Sequence, residues 1–312
     1  MRRILLDTDL AMGAPGSDID DGFALALALA DPSLSVDLVT TVGGNTDVDT
    51  ATRLSLELLQ RLGRSDVPVV RGSAGPPLRR STGHAAPARV SGSLPGHAAT
   101  ALAERIMAQP GELTVVAIGP LTNVALALAL EPRLAAHVRE IVVMGGVFLE
   151  HTNLASMPGE FNTWSDPDAT AAVLASGAPL RFVGLDVTRQ VRLTRADADA
   201  MSAAGGDFAG FAARCTHEWI DHIEQTIPGD QREHGSCAMH DPLAVAVIDR
   251  PDLVTWQPAY VQVETASSVT RGVMVADLLT SDSPPDPNCE IATAVDSAAF
   301  VELFLDRLSG LP

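Results

Sequence analysis

The sequence predicts an α/β fold: a mostly parallel sheet with helices on both faces. Three observations lead there. Short apolar runs of strand length alternate with Ala/Leu-rich helical stretches, the pattern of consecutive βα units. Several of these runs end in Gly-, Asp- or Asn-rich turns. With 312 residues, 46% hydrophobic and 19% charged, the chain can bury a large core and is too apolar for disorder.

The elements follow in order. Arg3 to Asp7 is a short apolar run closed by acids, a buried strand. Asp20 to Ala30 is an Ala/Leu helix whose opening Asp20-Asp21 suits the positive end of the helix dipole. Ser35 to Val42 is strand-like, and Asp49 to Leu62 is a helix closing on Gly63. Leu113 to Ile118 is a strand, and Gly119 to Asn123 turns into the helix Val124 to Leu130. Glu140 to Met144 is a strand stopped by Gly145-Gly146, Ala169 to Ala175 a helix, and Leu180 to Gly184 a strand. Arg71 to Gly96, rich in Gly, Pro, Ser and Ala, reads as a long surface loop. A helix is expected from about Phe208 to Ile223. Alternation beyond Ala259 suggests a small antiparallel addition before a last helix, Ser297 to Leu308. No repeat divides the chain, so residues 1–312 read as one domain.

Composition narrows the chemistry. A net charge of −18 argues against a nucleic-acid partner, which requires surplus Lys and Arg. All 21 basic residues are Arg. Without Lys there is no Walker-A phosphate loop and no Schiff-base lysine. The three cysteines, Cys215, Cys237 and Cys289, lack the spacing of a disulfide framework or zinc site. Only Ile4-Leu5-Leu6 separates Met1-Arg2-Arg3 from Asp7, too short for a secretory signal, and no charge-free apolar stretch spans a membrane. The expectation is a cytoplasmic, soluble protein.

In an open α/β sheet, ligands bind beyond the carboxyl ends of the strands. Asp7 and Asp9 end the first strand there, with Asp18, Asp20 and Asp21 before the next helix. Such acids repel one another unless a cation neutralises them, and oxygen ligands alone suit a hard ion. A helix cap with solvated acids gives the same pattern. Gly43-Gly44-Asn45, Gly119 to Asn123, Glu160-Phe161-Asn162 and His240-Asp241-Pro242 follow other strands or open helices. Each has a plain alternative as a turn, cap or surface acid. Their joint placement at strand ends points to a site.

These pieces resemble the nucleoside hydrolase family, the inosine-uridine-preferring nucleoside N-ribohydrolases. The resemblance rests on Leu5-Leu6-Asp7-Thr8-Asp9 with Asp18-Ile19-Asp20-Asp21, Thr41-Val42-Gly43-Gly44-Asn45, and Asp66-Val67-Pro68-Val69. It continues through Gly119-Pro120-Leu121-Thr122-Asn123, Met144-Gly145-Gly146, Glu160-Phe161-Asn162, Asp166-Pro167, His240-Asp241-Pro242-Leu243 and Thr270-Arg271-Gly272. The resemblance implies an open, mostly parallel Rossmann-like sheet and Ca²⁺-dependent hydrolysis of the N-glycosidic bond of ribonucleosides. It implies that Asp9, Asp21, Asp241 and the carbonyl of Thr122 hold the ion, and that Asp9 takes a proton from the attacking water. Asp20, Asn45, Asn153, Glu160, Asn162 and Asp241 would grip the ribose, and His240 would serve as acid near the leaving base. Trp219 and His222, three apart on one helix, would border the base, although a helical Trp is often core. Homodimers or homotetramers are the assemblies implied.

The chain departs from the family pattern in places. Asp9 and Asp20 are eleven positions apart, with Leu10 to Pro15 as an apparent insertion. Asp18 therefore competes with Asp20. The segment from Asn153 to Glu160 looks one residue longer than usual, and either Gly83-His84 or Gly96-His97 stands in for the family's His-Gly loop. Trp164 and Trp256 read as structural. Three rivals remain: a haloacid-dehalogenase-like phosphohydrolase, disfavoured by the missing Lys; a non-catalytic binder, disfavoured by the joint presence of Asp9, Asp21, His240 and Asp241; and a hydrolase of base- or 2′-modified nucleosides, favoured by the insertion.

Overall fold

The computed structural model describes residues 1–77, 90–150, 157–230, 234–279 and 283–312. Its strands are β1 (Arg2–Thr8), β2 (Leu34–Thr41), β3 (Val69–Arg71), β4 (Leu113–Ala117), β5 (Glu140–Met144), β6 (Leu180–Val183), β7 (Arg192–Thr194), β8 (Ser236–Ala238), β9 (Val254–Val263), β10 (Met274–Asp277) and β11 (Cys289–Val295). Its helices are α1 (Asp20–Ala30), α2 (Val48–Arg61), α3 (Ala98–Ala108), α4 (Thr122–Leu130), α5 (Leu134–His137), α6 (Phe161–Ser165), α7 (Pro167–Leu174), α8 (Leu185–Thr188), α9 (Arg195–Ala204), α10 (Asp207–Thr226), α11 (His240–Asp249) and α12 (Ser297–Leu308).

Among the described residues nine strands form one sheet, ordered β10-β9-β11-β6-β5-β4-β1-β2-β3. β1 pairs in parallel with both β2 and β4, so the order reverses between them. That reversal opens the crevice in which such sheets bind ligands. β4 and β5 are buried at every position, as a strand covered on both faces must be.

Two apolar layers cover the sheet. One takes side chains from α1, α10, α11 and α12, with Phe23 meeting Phe208 and Phe304 edge-on at 6.2 and 5.5 Å. The other draws on α3, α4, α5 and α7. Local rules set the helix starts: the Asp47 carboxylate accepts the Asp49 and Thr50 N–H groups at α2, and Asp166 caps α7 ahead of Pro167.

The antiparallel addition starts at Val254, earlier than expected, and lies within the main sheet. β9 runs antiparallel to β11 and β10, while β11 is parallel to β6. A separate antiparallel pair, β7 with β8, has no sequence forecast. Helix α3 was likewise unforeseen; it begins right after the expected Arg71–Gly96 loop, under a His97 cap. Residues 78–89, including Gly83-His84, lie outside the described residues. Among the described residues no helix is long and apolar enough to cross a membrane.

Candidate active site

The site is built where the chain leaves β1, β2, β4 and β5. Asp9 sits one residue past β1 and is fully buried. Its Oδ2 accepts the Asn45 N–H at 2.7 Å, and its Oδ1 has no hydrogen-bond partner. Gly44 and Gly119 close over it: a Cβ at Gly44 would lie 2.0 Å from Asp9 Oδ2, and one at Gly119 would lie 2.9 Å from Oδ1. Those two motif glycines are there because nothing larger fits against the carboxylate.

The first turn of α1 brings Asp20 and Asp21, and the first turn of α11 brings Asp241. One carboxylate oxygen from each of the three lies within 4.8 Å of the others, and all three residues are buried. Asn45 ties Asp9 to this group, because its Nδ2 donates to Asp21 Oδ2 at 2.9 Å while its backbone holds Asp9. Thr8 donates its hydroxyl to Asp21 Oδ1, and the Asp241 N–H donates to Asp20 Oδ2 at 3.1 Å. Asp18, the competitor of Asp20, lies outside the triad, although it also faces the crevice.

Burial above all raises the carboxyl pKa values in this group. Asp9 is pushed well up by burial and then by the charge of Asp21; Asp20 by burial and then by Asp18 and Asp21; Asp241 by burial and then by Asp20. Burial pushes Asp21 up to about 6 against the Thr8 and Asn45 donors. Asp7, buried behind the site and bonded to Thr40 and Asn123, is pushed up to about 7 by burial. Burial and mutual repulsion disfavour the charged forms of Asp9, Asp20 and Asp241, and a neighbouring cation would relieve that cost. The all-oxygen donor set and the unpartnered Asp9 Oδ1 fit a hard divalent ion.

Thr122 opens α4, and its hydroxyl donates to Asp166 Oδ2 at 2.6 Å. Glu160 caps α6 with a buried carboxylate that accepts the N–H groups of Asn162 (2.7 Å), Thr163 (3.0 Å) and Gly146 (3.1 Å). Burial nevertheless raises its pKa. Asn162 Nδ2 donates to the carbonyls of Ile118 (3.0 Å) and Met144 (3.2 Å), binding together the ends of β4 and β5. Asn153 falls outside the described residues.

A cavity of about 510 Å³ opens above this floor. Asp20, Asn45, Glu160, Asn162, Asp241 and His240 line it, as expected. His240 Nδ1 lies 2.7 Å from Thr188 Oγ1, and burial, then Arg189 and Arg192, pushes its pKa down to about 3. Trp219 lines the cavity and also packs against the apolar layer below it, so both readings of this helical Trp hold. His222 does not line it among the described residues: it stacks on Trp219 at 5.4 Å and packs over Gly16, because three residues along a helix bring it beside Trp219. Met144, Met157, Phe161, Leu185, Arg189, Ile223 and Ile227 complete the walls. None was anticipated as a wall residue; only Met144, in Met144-Gly145-Gly146, and Phe161, in the Glu-Phe-Asn triplet, carried a local signal. Arg271 bonds the Trp164 carbonyl at 2.8 Å and Trp256 the Pro251 carbonyl at 3.1 Å, both structural roles.

Residues 4–302 match the family model described as inosine-uridine preferring nucleoside hydrolase. The chain belongs to that family. It is 34% identical to the pyrimidine-specific ribonucleoside hydrolase RihA of Salmonella arizonae, over 98% of this chain and 97% of that one. It is 32% identical to the probable uridine nucleosidase 2 of Arabidopsis thaliana, over 98% and 97%. The structure of the purine-preferring ribonucleoside hydrolase from Gardnerella vaginalis superposes with a TM-score of 0.87 at 29% identity, covering 99% of this chain and 98% of that one. Family membership makes the chain an enzyme, a nucleoside hydrolase acting on the N-glycosidic bond of ribonucleosides, and removes the phosphohydrolase rival.

Proposed function

We propose that this nucleoside hydrolase, acting as one domain over residues 1–312, binds Ca²⁺ and uses it to split ribonucleosides into free base and ribose. Asp9, Asp21, Asp241 and the Thr122 carbonyl hold the ion. The observation that carries this reading is the acid floor: three carboxylates within 4.8 Å, with Asp9 bridged to them through Asn45, beneath a cavity of about 510 Å³. When bound, a divalent cation lowers the pKa of water.

The side chains do the rest. Asp9, with one oxygen unpartnered, takes a proton from the attacking water. Asp20, Asn45, Asn153, Glu160, Asn162 and Asp241 hold the ribose hydroxyls, and their carboxylates stabilise the positive charge that grows on the sugar. A sugar lacking a hydroxyl leaves buried acceptors unpaired and is rejected. His240, kept neutral by burial in the free enzyme, stands beside the leaving base as its proton donor once negative charge gathers there, with Trp219 against the base face. Both purine-preferring and pyrimidine-specific relatives exist, and the proposal covers ribonucleosides of either kind. Assembly as a homodimer or homotetramer and a cytoplasmic location complete the reading.

Calorimetric titration of the chelator-treated protein with Ca²⁺ and Mg²⁺, paired with ribose release from uridine and inosine, tests it. Tight Ca²⁺ uptake that restores release supports the proposal; full release without any divalent ion contradicts it. One observation favours a second reading. Gly16, Ser17 and Asp18, which follow directly on the Leu10–Pro15 insertion, line the cavity and reshape its wall for a base- or 2′-modified nucleoside. Such a substrate reacting while uridine and inosine do not selects it.

A further inference from the structure

The cavity walls differ in charge. Four of its acids, Asp18, Asp20, Glu160 and Asp241, are contributed by the loop before α1 and the starts of α1, α6 and α11. Arg189 is the one arginine lining it among the described residues. It follows α8, and its N–H donates to the Leu185 carbonyl at 3.3 Å, so Leu185 and Arg189 stand one turn apart on the same side, and both face the cavity. The intervening Thr188 is the hydroxyl that meets His240. Arg189 thus sits next to the group assigned to the leaving base.

A partly exposed ion pair tethers it. Nη1 donates to Glu150 Oε2 at 3.1 Å, and the Glu150 backbone N–H is held in turn by Asp186 Oδ1 at 3.0 Å. The guanidinium is charged at any working pH and carries five donors in a planar fork, so one ion pair does not exhaust it. Charge balance alone does not call for it at this wall, since a divalent ion answers the floor acids.

We propose that Arg189 recognises a carbonyl oxygen on the departing nucleobase and holds the negative charge that gathers there as the glycosidic bond breaks. The new element is the residue: Arg189 is the group through which this chain would favour oxo-bases, the inosine-uridine preference of the family description, over adenine. The proposal rests on the nucleoside-hydrolysis reading and deepens it. When the bond between the anomeric carbon and the base nitrogen breaks, its electron pair stays on nitrogen and spreads to the ring carbonyl. Water oxygen bonds the anomeric carbon, one of its protons passes to Asp9, and the base takes a proton from His240 to leave neutral. Adenine has no carbonyl oxygen to present to the fork.

The test compares uridine, inosine, adenosine and 4-nitrophenyl β-riboside, whose leaving group carries its own charge well without help. Arg189→Gln is expected to lower kcat/KM on uridine and inosine roughly 10- to 100-fold, with adenosine and the nitrophenyl riboside within about threefold. Arg189→Lys regains part of the loss. Equal loss on all four substrates, or none on uridine and inosine, overturns the proposal. If Arg189→Gln does not fold, Glu150→Gln, which frees the fork from its tether, gives a smaller loss confined to uridine and inosine, and an equal loss on all four substrates overturns the proposal. Wild-type protein inert toward every riboside overturns the hydrolysis reading itself, a different failure from an active enzyme indifferent to Arg189.

Discussion

Asp9→Asn perturbs the acid cluster with the least change in shape. The retained oxygen still accepts the Asn45 N–H, and the new amide replaces the unpartnered Oδ1 beside Asp21. One of four buried carboxyl groups disappears. In protein stripped of cations, burial and then Asp21 hold the Asp9 carboxyl well above its ordinary value, so the folded state keeps a proton that the unfolded chain releases. That stabilisation is complete below about pH 4 and is lost as pH rises through the folded value. For the neighbouring Asp21, raised by burial from 3.8 to about 6, the same effect amounts to about 3 kcal/mol. With chelator present, Asp9→Asn therefore gains stability over wild type as pH rises above about 4. His240 pulls the other way, since a ring held down at about 3 stabilises the fold above its unfolded value and loses that as pH falls. It is present in both proteins and cancels in the difference. Urea denaturation across that range, with chelator and then with excess Ca²⁺, reads both effects. With Ca²⁺ at alkaline pH the wild type gains more than the variant. Parallel pH curves in chelator, or equal gains from Ca²⁺, would show that the Asp9 carboxyl is not strained by its burial beside Asp21.

Other substitutions probe other parts of the site. Gly44→Ala drives a methyl group into Asp9 Oδ2, and kcat is expected to fall roughly 100-fold or more, with a smaller melting shift on adding Ca²⁺. Glu160→Ala leaves the Gly146, Asn162 and Thr163 N–H groups without their acceptor, costing about 2–4 kcal/mol in urea denaturation, together with a raised KM. Trp219→Ala removes a cavity wall and is expected to raise the KM for nucleosides roughly tenfold while leaving Ca²⁺ uptake unchanged, as calorimetry would show.

Much of the framework was legible because it is local. The helices Asp20–Ala30 and Ser297–Leu308 and the strand Glu140–Met144 have the expected bounds, each delimited by an acid, glycine or proline signal nearby. Asp9 and Asn45 were legible because they follow strands β1 and β2, and Asp20, Asp21 and Asp241 because they open helices. The walls were not. Leu185, Arg189, Ile223 and Ile227 converge from α8 and α10, and no spacing within either segment shows that the two meet. Helix α3 escaped because its Ala-rich start runs on from a Gly/Pro/Ala loop, and its cap is a histidine, Nδ1 accepting the Ala99 N–H, rather than Ser, Thr or Asp. The role of His222 became visible only with the insertion loop in place, since Gly16 packs on its ring.

Asp9 and its neighbouring carboxylates drive cleavage of the bond between ribose and base. Release of free base and reducing sugar from a nucleoside panel, comparing wild type with Asp9→Ala, puts this to the test. The panel includes inosine, adenosine, uridine, cytidine and 2′-deoxy and 2′-O-methyl members. The account predicts release from ribonucleosides by the Ca²⁺-loaded wild type, weak release from the 2′-altered sugars and none from folded Asp9→Ala. Undiminished release by Asp9→Ala, or none from any ribonucleoside by folded, Ca²⁺-loaded wild type, would contradict it.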